Sequence, residues 1–185
     1  MGLSSHAKAE ATRERIIEAA SHLLCKHGYC GVSAGEIMAA ARLTVGGYYN
    51  HFASKEALAT EACARLFDRE AQIWSSVLAD SADADPALQR LVRWYLAADT
   101  ACPTIAFNQD AATISSDSLA KAYACGTRLL LDTVLEAADS SVTPGPSRDQ
   151  VLFLFAALTG ARLLGRSAAA ETWVQDLQKA VLRSL

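Results

Sequence analysis

The chain has 185 residues, of which 51% are hydrophobic, 7% aromatic and 20% charged. That composition excludes a disordered polymer and suffices for a core without disulfide or metal staples. A formal charge of −3 and a pI near 5.8 exclude a globally basic nucleic-acid coat, although the charge is about +1 over residues 1–60 and −4 over 61–185, the sign expected of a DNA-facing head on an acidic body.

Residues 1–7 read as a short polar arm with a frayed end. From Lys8 a helical pattern runs through Ile16, Ile17, Ala20, Leu23 and Leu24 to Gly28, the residue type expected just past a helix end. Ser33-Ala34-Gly35-Glu36 is a capping box opening a helix of barely two turns that ends near Ala41. Arg42-Leu43 makes a tight turn, Thr44 caps a third short helix to about His51, and Ser54 caps a fourth running to about Leu78. Residues 81–85 form a polar break, and Asp85 caps a helix with Pro86 at its first position. Further helices are expected at about 86–99, 103–112, 117–138, 147–166 and 170–183, with Pro144-Gly145-Pro146 as the clearest loop. No repeat and no strand pattern stands out. The expectation is an all-α chain of about nine helices, divided into residues 1–53 and 54–185.

Two short capped helices joined by a three-residue turn, braced by a longer one in front, form a helix-turn-helix, which places its second short helix in a DNA major groove. Gly46 and Gly47 stand in the first turn of that helix, where each costs ~1 kcal/mol relative to alanine. Glycine there lets backbone approach a phosphate or base edge closely. Thr44, Tyr49, Asn50 and His51 offer hydrogen bonds, and Lys55 adds a cation. The alternative is that Gly46-Gly47 is a plain loop and Tyr48, Tyr49 and Phe52 are core. In either reading Phe52 and one tyrosine are core.

Residues 12–58 resemble the DNA-binding domain of TetR-family transcriptional repressors. The likeness rests on Arg15-Ile16-Ile17 with Ala19-Ala20, on Gly28-Tyr29, Ser33 and Ile37, and on Ala41-Arg42-Leu43-Thr44. Above all it rests on Tyr49-Asn50-His51-Phe52-Ala53-Ser54-Lys55-Glu56-Ala57-Leu58. The resemblance implies an all-helical homodimer that binds a palindromic operator in double-stranded DNA and leaves it when a small molecule enters the C-terminal domain. It places Val45, Gly46 and Tyr49 at base-reading or groove-floor positions. Thr44, Gly47, Asn50, His51 and Lys55 fall at phosphate-contacting ones, Ser33 presents a helix N-terminus to a phosphate, and Tyr48 completes the DNA-binding set. Gly35 stands where some members carry a base-reading arginine. Arg42 replaces the glycine usual at the turn, where a left-handed arginine costs ~1–2 kcal/mol. With no Arg, Lys or Gln between Thr44 and Asn50, specificity leans on thymine-methyl contact, tyrosine hydroxyls and shape.

The remaining residues match that family in rhythm alone. Residues 151–158 are apolar on every side, as a helix needs when one face meets its own core and another a partner. With Trp173, Val174, Leu177, Ala180 and Val181 on the last helix, they predict a dimer through the helices near 147–166 and 170–183. Trp74, Trp94, Tyr95, Cys102, Phe107 and Tyr123 are the candidate contacts for a hydrophobic or aromatic effector.

Other functional classes find little support. All four histidines lie in the first 51 residues, and no nucleophile elbow, phosphate loop or zinc-protease motif occurs. No enzyme activity, cofactor or metal is expected, the cluster His22, Cys25, His27 and Cys30 being split over different helix faces. Five cysteines without a Cys-x-x-Cys pair, and no signal-peptide pattern, point to reduced thiols in the cytoplasm. The longest apolar run is eight residues, so no membrane span is expected. A second functional reading is a thiol-based redox-sensing regulator. Cys102 precedes Pro103 at a helix start, where the helix dipole favours a thiolate.

Overall fold

A computed structural model describes residues 2–80, 86–99, 102–114, 117–140 and 145–184. The expected break at 81–85, its Asp85 cap and Pro144 lie outside the described residues. Every regular element among the described residues is helical: α1 Gly2–His27, α2 Ala34–Ala40, a 3₁₀ helix Val45–Asn50, α3 Lys55–Ala79, α4 Ala87–Ala97, α5 Pro103–Ala106, α6 Asn108–Thr113, α7 Asp117–Asp139, α8 Arg148–Ala168 and α9 Thr172–Arg183.

The all-α expectation holds, with three local corrections. The helix α1 reaches back to Gly2 through the arm read as frayed. The helix expected at 103–112 is two pieces, because Phe107 sits at φ −99, ψ 0 and closes α5 by donating its N–H to Pro103 O at 3.1 Å. Its ring is buried, and that anchors the break. The third helix is 3₁₀ rather than α, the tighter coil that short glycine-containing segments tolerate.

The chain forms two compact units, residues 1–68 with 101–126, and residues 69–100 with 127–185. The boundary expected after residue 53 therefore falls inside the first unit.

In the first unit the core is built from Ile16, Ile17, Ala20 and Leu24 of α1, Ile37 and Met38 of α2, Phe52, and Leu58, Ala62 and Phe67 of α3. Arg13 forks onto both oxygens of Glu61, and Arg65 meets Glu14 at 2.7 Å, so two ion pairs tie α1 to α3. The Arg13 guanidinium also lies 4.8 Å from the centre of the Phe52 ring. Exposed pairs contribute little, ~0.2–1 kcal/mol each, so burial carries the packing. Helix α7 passes Phe67 at Gly126, where a Cβ would fall 2.2 Å from the ring. Only glycine allows that approach.

In the second unit Leu91, Val92 and Tyr95 of α4 are buried, as are Trp74 of α3, Val151, Leu154, Leu158 and Ala161 of α8, and Val174 and Val181 of α9. Helices α8 and α9 pack on one another and on α4. The outer side of α8 leaves Leu152, Phe153, Leu163 and Leu164 exposed, and α9 leaves Trp173 exposed. Among the described residues α8 is long and apolar enough to cross a membrane by length and composition. The eight-residue criterion missed this because a span tolerates scattered polar residues.

Candidate nucleic-acid interface

The helix-turn-helix is set by its caps. Ser33 and Glu36 form the expected box: the Glu36 N–H donates to Ser33 Oγ at 3.2 Å, and the Ser33 N–H donates to Glu36 Oε2 at 2.7 Å. The Ser33 hydroxyl donates to the same carboxylate oxygen at 2.7 Å, which holds the Glu36 carboxyl below its ordinary pKa. Glu36 thus occupies the Ser33 N–H at the helix end that the resemblance has Ser33 present to a phosphate.

At the other end of α2, Arg42 adopts φ +57. Its N–H donates to Ala39 O and that of Leu43 to Met38 O, both at 2.9 Å. This is a Schellman closure with arginine at the position glycine normally fills. The Arg15 guanidinium donates to Ala41 O at 2.5 Å and satisfies another orphan carbonyl.

The 3₁₀ helix that follows has two distinct sides. Thr44 occupies its N-cap position but makes no side-chain cap bond, contrary to expectation, and its side chain is exposed. Val45, Gly46, Tyr49 and Asn50 are also exposed, while Gly47 and His51 are half-buried. Tyr49 is 77% exposed and Tyr48 only 1%. Tyr48 is therefore corrected from the DNA-binding set to the core. Its ring packs edge-on to Tyr49 at 5.3 Å and near Phe52 at 6.1 Å, and burial pushes its hydroxyl up to about 12. The difference follows from position, since adjacent residues on a 3₁₀ helix point about 120° apart and only one of the pair can face the core.

Ser54 caps α3, its Oγ accepting from the Ala57 N–H at 3.0 Å. Lys55, half-buried, is not the free cation the sequence suggested. Its ammonium donates to Tyr29 O and sits 4.1 Å from the Tyr29 ring centre. An ammonium has three donors, so two remain for an anion. Burial, with Glu56 nearby, raises the Tyr29 hydroxyl pKa.

The six expected effector contacts fall in different surroundings. In the second unit Trp74 and Tyr95 are fully buried and meet edge to face at 5.2 Å. Trp94 is half-buried and lines a cavity of about 300 Å³ with Val77, Arg90 and Arg93. In the first unit Cys102 and Phe107 are buried, Cys102 Sγ lying 2.8 Å from Thr104 Oγ1, and Tyr123 packs on Phe67 at 5.7 Å. A larger cavity in the second unit, about 710 Å³, is lined by Leu88, Ala137, Pro146, Phe153 and Leu154 among others, and by none of those six.

Sequence reasoning missed the buried polar pair of that unit. Glu70 accepts from Trp74 Nε1 at 2.9 Å, and burial raises its carboxyl pKa against the pull of Trp74 and Arg162. The Arg162 guanidinium lies over Tyr95 at 4.2 Å and donates to Ala98 O at 3.2 Å. The four-residue spacing of Glu70 and Trp74 is visible in the sequence; the approach of Arg162 has no local signal. It also missed Asp110, which accepts the Tyr29 N–H at 2.8 Å.

Residues 16–62 match the family of bacterial regulatory proteins described as the tetR family. The chain is 32% identical over 85 residues, 46% of its own length, to the HTH-type transcriptional repressor DhaR of Mycobacterium sp. (strain GP1). That match spans 42% of DhaR, less than half of the relative's length. Over 96% of the chain, the fold is similar to a TetR-family transcriptional regulator from Cytophaga hutchinsonii, with TM-score 0.79, 18% identity and 94% of that chain covered. Escherichia coli NemR in its reduced form is also similar in fold, with TM-score 0.74 and 19% identity over 94% of this chain and 97% of that one. The helix-turn-helix of residues 16–62 is thus similar to that of the tetR family of bacterial regulatory proteins, and the fold of the chain is similar to that of solved TetR-family regulators.

Proposed function

We propose that the protein is a cytoplasmic homodimeric repressor of transcription. It binds a palindromic operator and is released by a small hydrophobic or aromatic effector held in its helical body. The observation that carries the DNA half of this reading is the outward pair Val45 and Tyr49 on a 3₁₀ helix whose inner side is pinned by Tyr48. Thr44, Gly46, Gly47, Asn50 and His51 flank that pair and Lys55 follows it, the polar and cationic surround that positions a helix on phosphates. The exposed Leu152, Phe153, Leu163, Leu164 and Trp173 supply an apolar face for the second copy. Two recognition helices must reach half-sites ~34–36 Å apart.

The test is selection of bound duplexes from a random pool. A recovered palindrome with half-sites one helical turn apart supports the proposal; an unenriched pool whose binding ignores salt refutes it. A ligand found for the purified protein must then weaken operator binding.

The thiol-sensor alternative draws on the similarity to NemR, solved in its reduced form. It requires Cys102 to react, and that residue is fully buried, whereas Cys30 and Cys125 are the exposed thiols. Loss of operator binding on mild oxidation, abolished by Cys102→Ser, would favour it over the small-molecule reading.

A further inference from the structure

We propose that Asp110 is a positioning residue for DNA binding, acting through Tyr29 to hold the Lys55 ammonium where a phosphate meets it. The inference rests on the DNA-binding reading above and adds to it a residue more than fifty positions beyond the helix-turn-helix.

The geometry lies wholly within the first unit. Helix α1 ends at Gly28, whose φ of +71 lets the chain reverse and whose N–H closes onto Leu24 O at 2.9 Å. The next residue, Tyr29, has no helical partner for its N–H, and the Asp110 carboxylate takes it at 2.8 Å. A Cβ at position 28 would lie 3.7 Å from the same carboxylate, so Asp110 is seated against the whole turn. Tyr29 in turn offers both its carbonyl and its ring to Lys55. Anchoring the Tyr29 N–H thereby restrains the residue whose carbonyl and ring aim the ammonium. A lysine left on its own stem carries four rotatable bonds, and ordering it costs conformational entropy at the moment of binding.

The segment that carries Asp110 is itself held from α7. The Tyr123 hydroxyl donates to Thr104 O at 2.8 Å and accepts from Asn108 Nδ2 at 3.0 Å. Three of the proposed effector contacts, Cys102, Phe107 and Tyr123, belong to this small assembly. A molecule that disturbs it would reach the DNA contact by way of a single carboxylate.

The experiment measures binding of a labelled mixed-sequence duplex of about 30 base pairs, long enough for two half-sites one turn apart, at a series of salt concentrations between about 50 and 200 mM. The proteins compared are wild type, Lys55→Ala, Asp110→Ala, Asp110→Asn, Tyr29→Leu and the double variant Asp110→Ala/Lys55→Ala. Each phosphate contact contributes about 0.9 to the slope of log K against log salt, or about 3.5-fold in affinity over that range. Lys55→Ala and Asp110→Ala should each lower the slope by about 0.9 per protomer, and the double variant should lose no more than either alone. Asp110→Asn keeps an acceptor for the Tyr29 N–H while discarding the charge, so its slope should match wild type. Tyr29→Leu keeps the clamp but removes the ring beneath Lys55, so its slope should fall as well.

An Asp110→Ala slope equal to wild type, additive losses in the double variant, or equal effects of Asn and Ala at position 110 would each overturn the proposal. If Asp110→Ala does not fold, an unchanged slope in Tyr29→Leu overturns it instead. Failure of the DNA-binding reading looks different, since the wild type itself would then show no salt-dependent binding and both proposals would fall together.

Discussion

Replacing Arg42 by glycine should make the protein more stable although it deletes a large side chain. Arg42 is exposed and stands at φ +57 in the turn between α2 and the 3₁₀ helix. An L-residue in that region costs ~1–2 kcal/mol because its Cβ crowds the following carbonyl. Glycine removes that strain but brings a freer unfolded chain, which takes back ~0.5–1 kcal/mol. The net gain is about 0–1.5 kcal/mol, or up to ~6 °C in Tm for a chain of this size. The two turn hydrogen bonds, from Arg42 N to Ala39 O and from Leu43 N to Met38 O, involve backbone only and survive the change. Thermal melts at one fixed protein concentration measure the shift, with Arg42→Ala as control because alanine retains the strained Cβ. If alanine raises Tm as much as glycine does, the gain comes from losing the charge and the backbone argument is refuted. A glycine variant less stable than wild type refutes it too.

Four further outcomes follow from particular contacts. Tyr48→Phe should be neutral or up to about 1 kcal/mol more stable in equilibrium denaturation, since its hydroxyl is buried with no partner among the described protein groups. Gly126→Ala should cost about 1–3 kcal/mol by forcing Phe67 aside, read from the same denaturation curves. Glu70 has its folded pKa raised by burial, so the folded state holds its proton to higher pH than the unfolded chain and this residue's contribution falls as pH rises from the ordinary carboxylate value through the raised one; Glu70→Gln should flatten that fall and be more stable than wild type at neutral pH. Phe153→Glu, at a residue 71% exposed, should shift the protein toward monomer in sedimentation at a given concentration while the monomer still gives a cooperative melt.

The sequence shows most clearly the parts of the fold whose physics is local. The Ser33–Glu36 box, the Ser54 cap and the glycine after α1 each depend on residues within four positions of one another, and the structure forms all three. Hydrophobic spacing located the long helices to within a few residues at most ends. Where the structure differs, the deciding term is distant. Whether Tyr48 or Tyr49 faces inward is set by how the 3₁₀ helix meets Met38, Phe52 and the rest of the core, and the two residues are chemically identical. The break at Phe107 is likewise set by burial of a ring, which propensity does not register. Asp110 and Arg162 were illegible for the same reason, since their partners, Tyr29 and Tyr95, lie 81 and 67 positions away.

The proposed effector contacts expose a general asymmetry between the two kinds of candidate site. The surface proposed to meet DNA can be read as exposed side chains, since Val45 and Tyr49 stand exposed. A site for a hydrophobic ligand competes with the core for the same residue types, so composition cannot separate them. In the second unit Trp74 and Tyr95 are already packed edge to face, with Glu70 and Arg162 attached to their polar and aromatic sides. A ligand that touches both rings must first part them and then replace both their mutual contact and the polar partners. Such a molecule would have to offer an aromatic face and a hydrogen-bonding group in place of the contacts it displaces, because a buried polar group left without a partner is costly.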